Sequence, residues 1–98
     1  MKINGAQILK SYDGSDLKDP EGKPVQLRTI IANALNSTEK DEKQTGEMKI
    51  KLYQISLKFY ESDELDLTNE QLVLIEQRVA KFYNALIVGR VAELLNKP

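Results

Sequence analysis

The stretch LTNEQLVLIEQRVAKFYNALIVGRVAELL, residues 67–95, decides the fold, and its pattern predicts helix. Thr68 precedes Gln71 by three positions, which is the spacing of a capping box. In that motif the hydroxyl and the side-chain amide satisfy each other's exposed backbone N–H groups. Leu67 and Leu72 lie on either side of this cap, where a hydrophobic staple would place them. The sequence therefore predicts that a helix begins just after Thr68.

The apolar residues of this stretch change face in the middle. The second set lies roughly 150° around the helix from the first, so one straight helix would be apolar on two sides. Because asparagine disfavours helix interiors, the sequence favours a break near Tyr83, Asn84 and Ala85 that lets both sets meet one core. The alternative is a continuous helix that offers its second side to another chain. The sets are Leu72, Ile75, Val79, Phe82 and Leu86, then Ile87, Val88, Val91, Leu94 and Leu95.

A shorter amphipathic helix of about ten residues is predicted to begin at Leu27, because apolar residues there follow the spacing i, i+3, i+4, i+7 and i+8. Asn36 and Ser37 would end it, since both side chains compete for backbone hydrogen bonds. Residues 36–44 then contain no apolar residue and five charges, so we expect an exposed connection.

Residues 48–60 carry apolar side chains on two nearly opposite helix faces. Thr45 can cap a helix here, and Glu47 suits its first turn. Residues 48–59 also nearly alternate apolar and polar, as a strand would, but the alternation slips at Leu52-Tyr53, so helix is favoured. Two apolar faces predict either a central element between layers or a surface for another subunit. One face holds Met48, Leu52, Ile55 and Phe59, and the other holds Ile50, Tyr53, Leu57 and Tyr60.

The first 26 residues are rich in turns and poor in helical periodicity. Asp19-Pro20-Glu21-Gly22 fits a type I turn followed by a positive φ, and Asp13-Gly14 is a second turn signal. We expect short strands over residues 6–12, 15–18 and 23–26, in a small hairpin or an extended arm that leans on the helices. Residues 61–66 are predicted to be an acidic connector.

Length and composition indicate one domain, residues 1–98, with 41% hydrophobic and 30% charged residues. The predicted fold class is mainly α: three to four helices in a small bundle over residues 27–98, with residues 1–26 as the hairpin or arm. No apolar run reaches the roughly 18 residues of a membrane span, and the first residues do not resemble a secretory signal. We therefore expect a cytoplasmic protein without membrane contact.

The composition disfavours several kinds of chemistry. Because the chain has no cysteine and no histidine, it lacks a thiolate nucleophile and the imidazole of a triad or a zinc site. Its 14 basic and 15 acidic residues are intermixed, whereas nucleic-acid binding needs basic groups concentrated on one face. Acidic residues of the arm, Asp13 to Glu21, do not have the spacing of a calcium loop and are interpreted as solvated turn residues. We predict no enzyme, cofactor or metal site.

Aromatic and basic residues in the second half of the chain are the candidate binding residues. The aromatic rings could stack on a nucleotide, and the basic side chains could then contact its phosphates. The favoured alternative places Phe59 and Phe82 in the core and the tyrosines at its edge, with their hydroxyls in water. The candidates for a ligand or partner are Tyr53, Tyr60, Arg78, Lys81, Tyr83 and Arg90.

Four stretches carry a resemblance that covers residues 22–95. They are Leu27-Arg28-Thr29 with Ala32-Asn33-Ala34-Leu35, Lys58-Phe59-Tyr60, Leu67-Thr68-Asn69-Glu70-Gln71, and residues 80–89. In these stretches the chain is similar to a group of short, mostly uncharacterised helical proteins of tailed bacteriophages and prophages. The resemblance implies a phage origin and no catalytic residues.

These observations predict a non-enzymatic phage accessory protein that acts in the host cytoplasm through protein–protein interaction, as a homo-oligomer and with a host factor as a further partner. Self-association is expected because residues 48–60 are apolar on two sides and the apolar face shifts after Asn84, which a small monomer cannot easily cover. Two alternatives stay open: an oligomeric anti-defence protein that sequesters cyclic dinucleotides, and a minor virion or assembly component.

Overall fold

Four helices and two short strands make up the fold over residues 2–39 and 42–96, which are the residues that the computed structural model describes. The predicted mainly α fold class is confirmed, and residues 48–60 are helical. The elements in chain order are β1 (Lys2–Asn4), α1 (Leu27–Asn36), α2 (Gly46–Glu61), β2 (Glu64–Asp66), α3 (Asn69–Phe82) and α4 (Ala85–Leu95).

The start of α3 is the predicted capping box. The backbone N–H of Gln71 donates to the Thr68 hydroxyl at 3.1 Å, and the Gln71 amide oxygen accepts from the Thr68 N–H at 3.0 Å. Leu67 and Leu72 on either side of this cap are both buried. Local sequence therefore determines where this helix begins.

The predicted break separates α3 from α4 at Tyr83 and Asn84. Tyr83 is the C-cap of α3, and the side chain of Asn84 accepts the backbone N–H of Ile87 at 3.1 Å to begin α4. Because the chain turns here, both apolar faces reach the same core. The buried apolar residues on the two helices are Leu72, Ile75, Val79, Val91 and Leu95.

The helices share one hydrophobic core. Helix α1 packs against both α2 and α3, and α4 packs against α3. Ile31 and Ala34 of α1 and Ile75 of α3 are fully buried at its centre. No helix in the described ranges is long and apolar enough to cross a membrane.

The prediction that residues 61–66 form only a connector is wrong, because this segment contains the strand β2. It pairs antiparallel with β1, and Ile3 lies opposite Leu65. Each of these three-residue strands buries only its middle residue, so neither is long enough to establish a visible alternation.

The rest of the arm forms three short extended pieces centred on Leu9, Leu17 and Val25, where the structure has isolated bridges in place of the predicted strands. The N–H of Leu9 donates to the Val25 carbonyl, that of Leu17 to Leu9, and that of Val25 to Leu17, each at 2.9 Å. Two turns with glycines in positive φ, Gly14 at 87° and Gly22 at 83°, connect the pieces, as the turn signals predicted. The three pieces of the arm are therefore linked in a closed ring of backbone hydrogen bonds.

Gly5 joins the strands to the helices. Its N–H donates to the Asp63 carbonyl at 2.7 Å, and its carbonyl accepts the Arg28 N–H at 2.8 Å. A Cβ atom at this position would lie 3.1 Å from Cδ1 of Phe59. The absence of a side chain here allows the chain to pass close to the end of α2.

Candidate interaction surface on helix α2

Helix α2 buries one face and exposes the opposite face. The inner face, Leu52, Ile55 and Phe59, belongs to the core. The outer face holds the four apolar residues predicted to form a second stripe. Their exposed fractions are 58% for Ile50, 62% for Tyr53, 37% for Leu57 and 84% for Tyr60, and we call these four residues the α2 outer stripe.

The α2 outer stripe is the main exposed group of large apolar side chains in the part of the chain that the structure describes. Its members recur at steps of three, four and three positions, so they share one helix face about 15 Å long. Within the described residues, the other large apolar side chains this exposed are Tyr12 in the arm and Val73 on α3. These two are single residues on other elements, so they do not extend the stripe.

A hollow of about 200 Å³ opens beside the stripe, between the end of α1 and the first half of α2. Tyr53 of the stripe forms part of its wall, together with Lys49 and the buried Leu52. The end of α1 and the residues after it contribute Leu35 and Thr38. The exposed stripe therefore continues into a concave surface.

Of the six candidate binding residues, Tyr53 and Tyr60 lie on the α2 outer stripe, and Tyr83 is half-buried against the core at the end of α3. The three basic candidates lie elsewhere. Arg90 of α4 donates to the carbonyls of Lys10 at 3.0 Å and Ser11 at 2.6 Å, and it thereby ties α4 to the arm. The structure therefore does not bring the six residues into one pocket.

Arg78 is the one charged residue among the buried residues described. Its guanidinium donates to the Glu42 carboxylate and to the Ser37 carbonyl, and it lies 5.0 Å from the centre of the Phe82 ring. Lys81 lies 3.6 Å from the carboxylates of both Glu39 and Glu42. Both cations are thus engaged with partners inside the subunit.

The prediction that residues 36–44 form an exposed connection holds for most of the described residues in this range but fails at Glu42, and residues 40 and 41 lie outside the described ranges. The side chain of Glu42 is only 12% exposed, because Arg78 holds it against α3. The hydrogen bond from Arg78 and then the backbone N–H of Glu39 lower the pKa of Glu42 to about 2. No local pattern in the sequence signals this contact, since its two partners lie 36 positions apart.

The acidic residues of the arm hold its turns. Asp13 accepts the hydroxyl of Ser15 at 2.6 Å and its backbone N–H at 3.0 Å, and these bonds keep the pKa of Asp13 below its usual value. Asp19 accepts the N–H groups of Glu21 and Lys23, each at 2.9 Å. Among the described residues, no three acidic side chains come together where they could hold a metal ion.

Comparison with protein-family models, with curated proteins and with solved structures finds no match to the chain. The similarity of the sequence to phage proteins therefore stays a prediction. The function has to be inferred from the surface itself, and the α2 outer stripe is the feature that folding inside the subunit leaves unexplained.

Proposed function

We propose that the protein is a non-enzymatic accessory protein of a bacteriophage that acts in the host cytoplasm through protein–protein contact at the α2 outer stripe. The observation that supports this proposal most directly is the exposure of four large apolar side chains on one helix face. Soluble monomers rarely expose contiguous apolar patches larger than about 400 Å², and patches above that size mark interaction sites. The phage origin rests on the resemblance of the sequence.

The chemistry of the stripe favours a protein partner. Tyrosines supply half of its members, and tyrosine is enriched in the energetically dominant part of protein interfaces because it combines an apolar ring with a polar hydroxyl. Lys49 and Glu61 are charged residues close to this face, so the apolar centre has a polar rim. An apolar centre with a polar rim is the usual composition of a protein interface.

Of the two apolar features that predict self-association, only the outer face of α2 stays uncovered within the described residues. The second apolar face, which begins after Asn84, packs into the core of its own subunit because the helix breaks there. Arg78, Lys81 and Arg90 each bind a partner inside the subunit, and a phosphate would have to replace those partners. These contacts therefore do not favour the alternative of cyclic-dinucleotide binding.

The proposal can be tested by photo-crosslinking. A benzophenone amino acid replaces Tyr53 in the stripe, and in a control chain it replaces Val73, which is also about half exposed but lies on α3. We expect protein adducts after irradiation in cells when the probe is at position 53 and few when it is at position 73. Mass spectrometry identifies the adducts. Equal yields at both positions, or none at position 53, would contradict the proposal.

A further inference from the structure

We infer that the partner of the α2 outer stripe is a second copy of this chain, whose own α2 lies antiparallel across the stripe with the ring of its Tyr60 in the hollow beside Tyr53. This inference rests on the proposed function and deepens it, because it specifies both the partner and the orientation. The contact is isologous: a two-fold axis relates the copies, so every contact occurs twice.

The order of residues along the stripe favours antiparallel pairing. From Ile50 to Tyr60 the stripe reads aliphatic, tyrosine, aliphatic, tyrosine. If the helices run in opposite directions with the two-fold axis near position 55, Ile50 lies opposite Tyr60 of the second copy, and Tyr53 lies opposite Leu57 of the second copy. Every pair then combines an aromatic ring with an aliphatic side chain. Parallel pairing would instead place each residue level with its own copy.

The position of the hollow distinguishes antiparallel from parallel pairing more clearly than the order of residues does. It lies beside Lys49 and Tyr53, in the first half of α2, whereas Tyr60 lies about 15 Å further along the same helix than Ile50. Antiparallel pairing brings Tyr60 of the second copy level with the hollow, and its ring then has room in the 200 Å³ available. Parallel pairing leaves that ring at the far end of the helix.

The charges around the stripe are compatible with this arrangement. Gln54 and Ser56, which border the middle of the stripe, are uncharged, so no like charges meet near the two-fold axis. Lys49 borders the hollow, where its ammonium can lie over the ring of Tyr60 from the second copy. The opposed helix dipoles add a small favourable term.

The size of the surface predicts a weak dimer. A stable interface removes about 800 Å² from each partner, about an eighth of the 6431 Å² that the subunit exposes. A single face of the 16-residue α2 is a narrow contact surface by this standard. We therefore expect reversible association with a dissociation constant on the order of micromolar.

Sedimentation velocity on the purified full chain tests the association. The mass should rise with concentration from that of the 11.1 kDa monomer towards twice that value. Tyr60→Lys should weaken the dimer on the order of tenfold or more, because it removes the side chain that fills the hollow. Tyr12→Lys is the matched control: Tyr12 is a similarly exposed tyrosine in the arm, so that change should leave the dimer unaltered. A chain that stays monomeric up to millimolar concentration overturns the inference.

Disulfide trapping tests the direction, and the chain is suited to it because it contains no cysteine. Ile50→Cys and Tyr60→Cys chains carrying different tags are mixed and oxidised. We expect mixed dimers to form faster than either homodimer, since positions 50 and 60 face each other only in antiparallel pairing. Dominant homodimers overturn the arrangement. If the chain is monomeric but the probe at position 53 still captures a different protein in cells, the inference fails and the proposed function stands.

Discussion

Glu42 is held by three hydrogen-bond partners, two from its own connection and one from α3. Its carboxylate accepts hydrogen bonds from the Arg78 guanidinium, from the Glu39 N–H at 3.1 Å and from the Gln44 amide at 2.9 Å. Arg78 in turn donates to the carbonyl of Ser37, just after the end of α1. One buried cation therefore fixes the connection between α1 and α2 against α3.

We expect Glu42→Gln to lower the midpoint of thermal unfolding by several degrees, because it leaves the buried Arg78 without its counter-charge. Circular dichroism of the two chains measures this shift. Glu64→Gln is the matched control, since Glu64 is exposed and has no ion pair within the described ranges. Equal midpoints for the Glu42 variant and the parent would contradict a stabilising role for the pair.

The same pair predicts how stability depends on pH. Folding lowers the pKa of Glu42 from its ordinary value of 4.5 to about 2, so the folded chain favours the ionised form. Its contribution is therefore fully present above about pH 4.5 and is lost as the pH falls towards 2. Urea unfolding at several pH values should show the difference between the parent and Glu42→Gln shrinking across that interval. A difference that does not change with pH would rule out the charge as its cause.

Gly5 should tolerate substitution poorly. An alanine Cβ would lie 3.1 Å from the buried ring of Phe59, so Gly5→Ala should reduce the free energy of unfolding by about 1–3 kcal/mol. Gly89→Ala is the control: nothing lies within 4 Å of the added atom in α4, and alanine favours helix, so this change should stabilise by about 0.5–1 kcal/mol. Urea unfolding compares them, and a Gly5→Ala chain as stable as the parent would be evidence against close packing there.

Among the elements, the boundary between α3 and α4 depends on one side chain. Asn84→Ala should reduce the free energy of unfolding by about 1 kcal/mol, because the N–H of Ile87 loses its cap and alanine favours an unbroken helix. Asn33→Ala on the exposed side of α1 is the matched control and should be neutral or slightly stabilising. Denaturant unfolding measures both changes. A larger loss from the control than from Asn84→Ala would refute the capping role.

The elements that could be predicted are those with a local signal. The cap at Thr68, the start of α1 at Leu27 and the break at Asn84 each follow from residues within one or two turns of helix. The pairing of β1 with β2 has no such signal, because each strand buries one residue and its partner lies far along the chain. Two apolar faces on α2 were visible in the sequence, but which one faces the core depends on α1, and the hollow beside Tyr53 depends on tertiary packing.

For the molecule as a whole, the arm closes the fold through distant partners. The central residues of the three pieces, Leu9, Leu17 and Val25, are spaced by eight positions, and the two glycines between them have the same spacing. This short internal repeat is not found by a search for helical periodicity. Arg90 of α4 then joins the arm to the helices. The sequence predicted the turns, but it did not predict that three pieces would bond in a ring, because each bond crosses from one repeat to another.

The pairing of Lys2–Asn4 with Glu64–Asp66 also constrains the order of events during synthesis. The ribosome makes the first strand long before its partner, and Arg90, which receives the arm at its other side, is made later still. The bonds within the arm can form early, but the arm gains these two contacts only after the later part has been translated. Docking of the arm onto the helices is therefore a late event, set by the arrival of α4.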